Sequence, residues 1–150
     1  MLDTRYARLL VVDDSRMIRR IIASMIHEFG IAQVDQAGDG AEALKMLRRC
    51  RYDLVISDWW MEPVSGFELL LAVRQDPALA KIPFLMITAE RDFGEVINAK
   101  SAGATDYLLK PFTAETLNRK LDRFVVSDLM SPTSAGALRT GWHESADEIF

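Results

Sequence analysis

Asp53-Leu54-Val55-Ile56-Ser57-Asp58-Trp59-Trp60 is the stretch on which the fold turns. Leu54 to Ser57 reads as a strand buried on both faces, the pattern of a parallel sheet, and it delivers one carboxylate, Asp58, to its C-terminal end. A strand that ends in Asp is ordinarily the start of a turn. Asp58 becomes a candidate site of chemistry because other apolar runs, separated by helical segments, also end in polar groups of complementary type.

Leu9-Leu10-Val11-Val12 is closed by Asp13-Asp14-Ser15, and Ile82 to Thr88 ends in a hydroxyl. Tyr107-Leu108-Leu109 runs into Lys110-Pro111, and Ile31 to Ala37 is a weaker, alternating strand. Between them the apolar period switches to that of a helix. Met17, Ile21, Met25 and Phe29, with Ile18, Ile22 and Ile26 one step over, form the first stripe, capped by Gly30. Ala41, Leu44 and Leu47 are the expected inner face of the second helix. Ser65 and Glu68 stand in capping-box spacing ahead of the third, which Asp76-Pro77 stops. A fourth helix is expected over 92–102, ended by Gly103. A fifth, from about Thr113, points Leu117, Leu121, Phe124 and Val125 inward. Five strand–helix alternations predict an α/β fold, a doubly wound five-stranded parallel sheet with five helices on its two faces.

The chain has 150 residues, 49% of them hydrophobic and 27% charged, as expected for one soluble domain with one core. The boundary is read at residue 126: 1–126 as the domain, 127–150 as a tail whose Ser131-Pro132-Thr133-Ser134-Ala135-Gly136 looks like a linker. Trp142, Ile149 and Phe150 are expected to pack on the domain or a neighbour. No apolar run approaches the ~20 residues of a membrane span. The start lacks a signal-peptide core, so a cytoplasmic location is expected. The single cysteine, Cys50, excludes an internal disulfide, and a net charge of -4 fits poorly with nucleic acid or an anionic membrane.

In a doubly wound sheet, ligands sit outside the carboxyl ends of the strands. Asp13, Asp14, Asp58, Thr88 and Lys110 would therefore meet at one edge. Three carboxylates about 4–6 Å apart repel each other by several kcal/mol, so the site calls for a cation, and a hard ion with oxygen ligands, Mg²⁺, answers that need. Lys110 and Thr88 are the cation and donor one would want around a phosphoryl group arriving at Asp58.

Val12-Asp13-Asp14-Ser15, Ser57-Asp58-Trp59, Ile87-Thr88-Ala89-Glu90 and Tyr107-Leu108-Leu109-Lys110-Pro111-Phe112 together resemble the receiver domain of bacterial two-component response regulators, in particular its single-domain chemotaxis members. The resemblance covers roughly 8–126. It implies a flavodoxin-like sheet of order 2-1-3-4-5 and phosphoryl acceptance at Asp58 from a histidine kinase or phosphotransfer protein. It further implies Mg²⁺ bound through Asp13, Asp14 by way of water, Asp58 and the backbone carbonyl of Trp60, together with a cis Lys110–Pro111 bond. Thr88 and Tyr107 are the implied switch. Val96, Lys100, Tyr107 and Lys120 are the implied face for an output protein, such as a flagellar motor switch. Trp60, Ala89 and Glu90 border the acceptor and are expected to modulate the lifetime of the phosphoryl group. Trp60 stands where the family usually has a small or polar side chain, and Met61-Glu62-Pro63 where it usually has Met-Pro.

Other readings compete. The domain could relay or drain phosphate for another kinase. A Mg²⁺-dependent aspartyl-phosphate phosphatase would resemble it but carries a second Asp two residues after the nucleophile, where this chain has Trp60 or, after Asp13, Ser15. Gly38-Asp39-Gly40-Ala41-Glu42-Ala43 fits the dinucleotide fingerprint GxGxxA, yet Asp39 would set a carboxylate in the pyrophosphate turn. Asp14 and Ser15 could serve only to cap the first helix. His27 reads as a surface residue, and Arg16, Arg19 and Arg20 as either a solvated face or a docking site for an acidic phosphodonor bundle.

Overall fold

The structure, a computed structural model, describes residue 4, residues 6–89 and residues 93–130, the last with backbone alone for 93–96 and 125–130. In chain order the elements are β1 (Arg8–Val12), α1 (Arg16–Phe29), β2 (Gln33–Ala37), α2 (Gly40–Arg49), β3 (Leu54–Asp58), α3 (Gly66–Gln75), β4 (Phe84–Thr88), α4 (Phe93–Ala102), β5 (Asp106–Leu109) and α5 (Ala114–Met130). All five strands are parallel, in the order β2-β1-β3-β4-β5. The doubly wound α/β architecture expected from the alternation is the one observed.

Strand residues alternate between two apolar layers because successive side chains of a strand face opposite sides. Leu10, Val12, Val55, Phe84, Met86 and Tyr107 meet α2, α3 and α4, through residues such as Leu47, Leu70 and Ala99. Leu9, Val11, Leu54, Ile56, Leu85, Ile87 and Leu108 meet α1 and α5, through Ile22, Ile26, Leu117 and Leu121. Each such side chain taken fully from water contributes about 1.5–3 kcal/mol before entropy is subtracted.

Four sequence expectations shift, each for a local reason. β2 starts at Gln33 rather than at Ile31, whose N–H is taken by Ile26 in the cap of α1. β4 starts at Phe84, because Ile82 closes a turn onto Leu79 and Pro83 has no N–H to give the ladder. In α2 the inner face is Gly40, Ala43 and Leu47, and Ala41 is exposed. Gly40 packs so closely on Val64 that a Cβ would lie 2.6 Å from its Cγ1, and this contact sets the helix phase. In α1 the row Met17 and Ile21 points outward, 71% and 44% exposed, while Ile22, Ala23 and Ile26 carry the packing.

Ser15, Gly30 and the Ser65–Glu68 pair are caps the sequence announces, and Asp39 is one it does not. Ser15 caps α1, Asp39 caps α2, and Ser65 with Glu68 forms the capping box of α3. Gly30 closes α1 with φ +117, a left-handed conformation costly for other residues. The helix α5 continues to Met130, past the composition change at residue 126. The expectations for Trp142, Ile149, Phe150 and residue 92 fall outside the described residues, as does the side chain of Val125.

Candidate functional site

Register decides what meets at the carboxyl edge of the sheet. Val12 pairs with Ser57, so the next residues, Asp13 and Asp58, lie side by side at the ends of β1 and β3. Asp58 pairs with Ile87, which sets Thr88 one step further along β4. Thr88 pairs with Leu109, and its carbonyl accepts the N–H of Lys110 at 2.8 Å.

The side chains converge as the strand ends do. Lys110 Nζ lies 3.1 Å from Asp13 Oδ2 and 3.2 Å from Asp58 Oδ1, bridging the two acids. Carboxylate oxygens of Asp13, Asp14 and Asp58 all lie within 4.8 Å of one another. Asp13 is 2% exposed, Asp58 9% and Thr88 2%, whereas Asp14 faces solvent. Burial pushes the Asp58 carboxyl above the usual carboxylate range; Lys110 pulls it back and Asp13 pushes it up again. Burial works against the Lys110 ammonium, but Asp58 and Asp13 outweigh it and leave its pKa raised.

The loop between β1 and α1 shows why Asp14 is available. Ser15 Oγ accepts the N–H of Ile18, and Asp13 Oδ1 accepts the N–H of Ser15 at 2.9 Å. Capping thus falls to Ser15 and leaves the Asp14 carboxylate to the cluster. Arg19, expected on a solvated or docking face, is half-buried and donates from Nη1 to the Asp13 carbonyl at 2.7 Å, bracing the same loop. His27 and Arg16 are exposed as expected.

Beyond β3 the chain is pinned at two places. Gly66 donates to the Trp59 carbonyl at 2.9 Å, and Gly40 to that of Val64 at 3.1 Å. A Cβ on Gly66 would fall 1.9 Å from the Asp58 carbonyl oxygen, so only glycine lets α3 begin there. The sequence signal for it was the Ser65 cap immediately before; its importance for Asp58 comes from a spatial approach the text does not encode. Trp59 is buried and stacks on Phe67 at 5.0 Å, while Trp60 stands 59% exposed with its ring 6.3 Å from that of Trp59.

The remaining site expectations separate. Ala89 follows Thr88 and is exposed; Glu90 lies outside the described residues. Lys100 is exposed on α4, and the side chain of Val96 is outside the described set. Tyr107 is 2% exposed and turned into the layer with α4. Lys120, expected on a partner face, is instead 1% exposed and held 3.3 Å from Asp106 Oδ1. Its spacing announces this: Leu117, Lys120, Leu121 and Phe124 share one helical face. Both the Lys110–Pro111 and the Glu62–Pro63 bonds are cis.

The dinucleotide reading fails on local bonding. Glu42 Oε2 accepts the N–H of Gly38 at 3.2 Å, and Asp39 Oδ1 accepts that of Glu42 at 3.0 Å. Carboxylates thus fill the turn where a pyrophosphate would bind. A cavity of about 780 Å³ opens at the opposite edge of the sheet, lined by Arg48, Cys50, Tyr52 and Lys81 among others. Asp53 and Asp76 also line it, whereas among the described residues three acids come together at Asp13, Asp14 and Asp58.

Comparison with known proteins agrees with this geometry. Residues 9–122 match the response regulator receiver domain. Over 116 residues the chain is 41% identical to chemotaxis protein CheY-3 of Vibrio cholerae serotype O1, covering 77% of this chain and 89% of that protein. It is 40% identical to chemotaxis protein CheY of Pseudomonas aeruginosa, covering 77% and 94%. Among solved structures, Vibrio cholerae chemotaxis protein CheY4 superposes with a TM-score of 0.74 at 39% identity, over 79% of this chain and 98% of that one. A putative response regulator from Chloroflexus aurantiacus superposes with a TM-score of 0.75 at 32% identity, over 80% and 98%. With the match spanning most of its length, the chain belongs to the response regulator receiver domain family, a signalling domain of the two-component systems.

Proposed function

We propose that the chain is a single-domain regulator that accepts a phosphoryl group on Asp58 from a histidine kinase or phosphotransfer protein in the cytoplasm, and thereby changes its affinity for an output protein. The observation that carries this reading is the bridge of Lys110 between Asp13 and Asp58, with Asp14 alongside. Three carboxylates against one ammonium leave two formal negative charges, and every donor is oxygen. That set fits a hard divalent cation, and Asp13, Asp14, Asp58 and the Trp60 backbone carbonyl would hold Mg²⁺. When bound, the ion supplies charge neutralisation and a Lewis-acidic contact to phosphoryl oxygens.

Asp58 is the nucleophile. Its carboxylate oxygen attacks phosphorus as the bond to the donor histidine nitrogen breaks, with the electron pair left on the imidazole. The Lys110 ammonium meets the charge on the arriving oxygens, and the Thr88 hydroxyl turns to donate to one of them. Tyr107, already turned inward in this structure, is retained there as Thr88 turns, and the surface formed by α4, β5 and α5, with Val96 and Lys100, changes its affinity for the partner. A flagellar motor switch protein is the partner suggested by the chemotaxis relatives. Water attack on the same phosphorus returns the carboxylate and releases inorganic phosphate. Trp60, exposed beside the acid, and Ala89 border the path of that water.

Incubation with acetyl phosphate and Mg²⁺ tests the reading. One phosphate of added mass, absent in Asp58→Asn and in the presence of a chelator, is the expected result. Rapid turnover of many phosphoesters would instead make it a phosphatase. An affinity for an isolated motor switch protein that rises with beryllofluoride, an analogue of the phosphoryl group, tests the partner.

A further inference from the structure

A second charged cluster sits at the edge strand β5. Lys120 Nζ lies 3.3 Å from Asp106 Oδ1 and 5.6 Å from the centre of the Tyr107 ring. Arg123 Nη1 lies 3.4 Å from Asp106 Oδ2, and Asp106 Oδ1 also accepts the N–H of Tyr107 at 2.8 Å. Asp106 is 4% exposed and Lys120 1%.

Adjacent strand residues face opposite sides of a sheet. Leu108 belongs to the layer of α1 and α5, and Tyr107 to the layer of α2, α3 and α4. Lys120, coming from α5, therefore passes round the edge strand and touches groups of both layers. A Met or Leu at position 120 would fill the same place without taking a charge out of water. What the ammonium adds is a directional hold: the buried cation attracts the face of the Tyr107 ring, and Asp106 fixes where the cation stands.

We propose that Lys120, anchored by Asp106, is a positioning residue for Tyr107, holding the ring inward in the unmodified chain and biasing the domain toward the state that phosphorylation at Asp58 selects. The inference rests on the reading of Asp58 as acceptor and Tyr107 as its switch. Its consequence is a smaller conformational gap for the phosphoryl group to close, and a partner affinity that is partly present before modification.

The test uses the full chain carrying 3-fluorotyrosine at its three tyrosines, with the Tyr107 fluorine resonance assigned from Tyr107→Phe. Without any phosphoryl analogue the Tyr107 signal is expected to be single and shielded from solvent. In the double variant Asp106→Asn with Lys120→Met, which strands no lone partner of the pair, the outward population is expected to rise about fivefold. Added beryllofluoride and Mg²⁺ should bring it back inward. Lys120→Arg should keep the inward signal, a rescue that simple packing at position 120 would not produce.

A Tyr107 signal unmoved in a folded double variant would overturn the proposal. So would a double variant that fails to fold, since the pair would then be structural only. A chain whose ring responds to Lys120 but which takes up no beryllofluoride overturns the acceptor reading of Asp58 and leaves the hold on Tyr107 standing. Uptake of beryllofluoride with an unresponsive ring does the reverse.

Discussion

Two aspartate–lysine clusters lie within one small domain and are built to opposite balances. At the carboxyl edge of the sheet, Asp13, Asp14 and Asp58 share the single ammonium of Lys110, and Asp14 opens to solvent. Beside β5, Asp106 receives Lys120 and Arg123 and is closed from water. The first keeps an excess of negative charge that a ligand can relieve. The second has its carboxylate met on both oxygens, so it can fasten but has no reason to bind. The same two residue types are thus set in surroundings of different openness and different charge balance.

The contrast is most exposed to failure at the metal. Asp13→Asn is expected to weaken Mg²⁺ binding at least about tenfold, followed as a change in tryptophan fluorescence, because Trp59 and Trp60 adjoin the acids. Asp106→Asn should leave that titration unmoved; a matching loss would mean the clusters are not separate in function. Next in size is stability. Asp106→Ala removes a carboxylate that meets Arg123 and the buried Lys120, and is expected to cost about 3 kcal/mol in urea unfolding.

Asp58→Asn should shift stability the other way. The native Asp58 carboxyl titrates above its ordinary value of 3.8, because burial first, and Asp13 after it, outweigh Lys110. The folded state therefore binds this proton more tightly than the unfolded one, and the wild-type chain gains stability as pH falls through the raised value. Removing the charge should raise the melting temperature at pH 7, and the gain should vanish once the pH drops below 3.8. A melting temperature lowered by Asp58→Asn at neutral pH would show that Lys110 dominates instead. The smallest effect concerns Trp60. Its exposed ring is expected to slow hydrolysis of the aspartyl phosphate, so Trp60→Asn should speed loss of phosphate several-fold; an unchanged rate removes the ring from that role.

The acid cluster was legible in the sequence because each of its members ends a strand, and parallel register carries strand ends to one edge. The sheet was legible for the same reason: four-residue apolar runs have few other homes. What periodicity could not supply was how wide a contact each helix face makes. Met17 and Ile21 continue the apolar stripe of α1 yet look outward, since Ile22, Ala23 and Ile26 already fill the layer. Lys120 was assigned to the partner face by the resemblance although its spacing lay on the buried face. Asp106, fourteen residues earlier, gave no sign in the text of being its partner. Gly66 is harder still, for its significance is an absent atom beside the carbonyl of Asp58.

The lone thiol offers a practical return. Cys50 is exposed and precedes β3, at the edge of the sheet opposite to Asp58. A strand of five residues separates the two by about 13 Å or more. A dye coupled there would need no engineered mutation and would sit clear of the acid pocket. Paired with the indoles beside Asp58 as energy donors, it would turn the native chain into its own optical ruler.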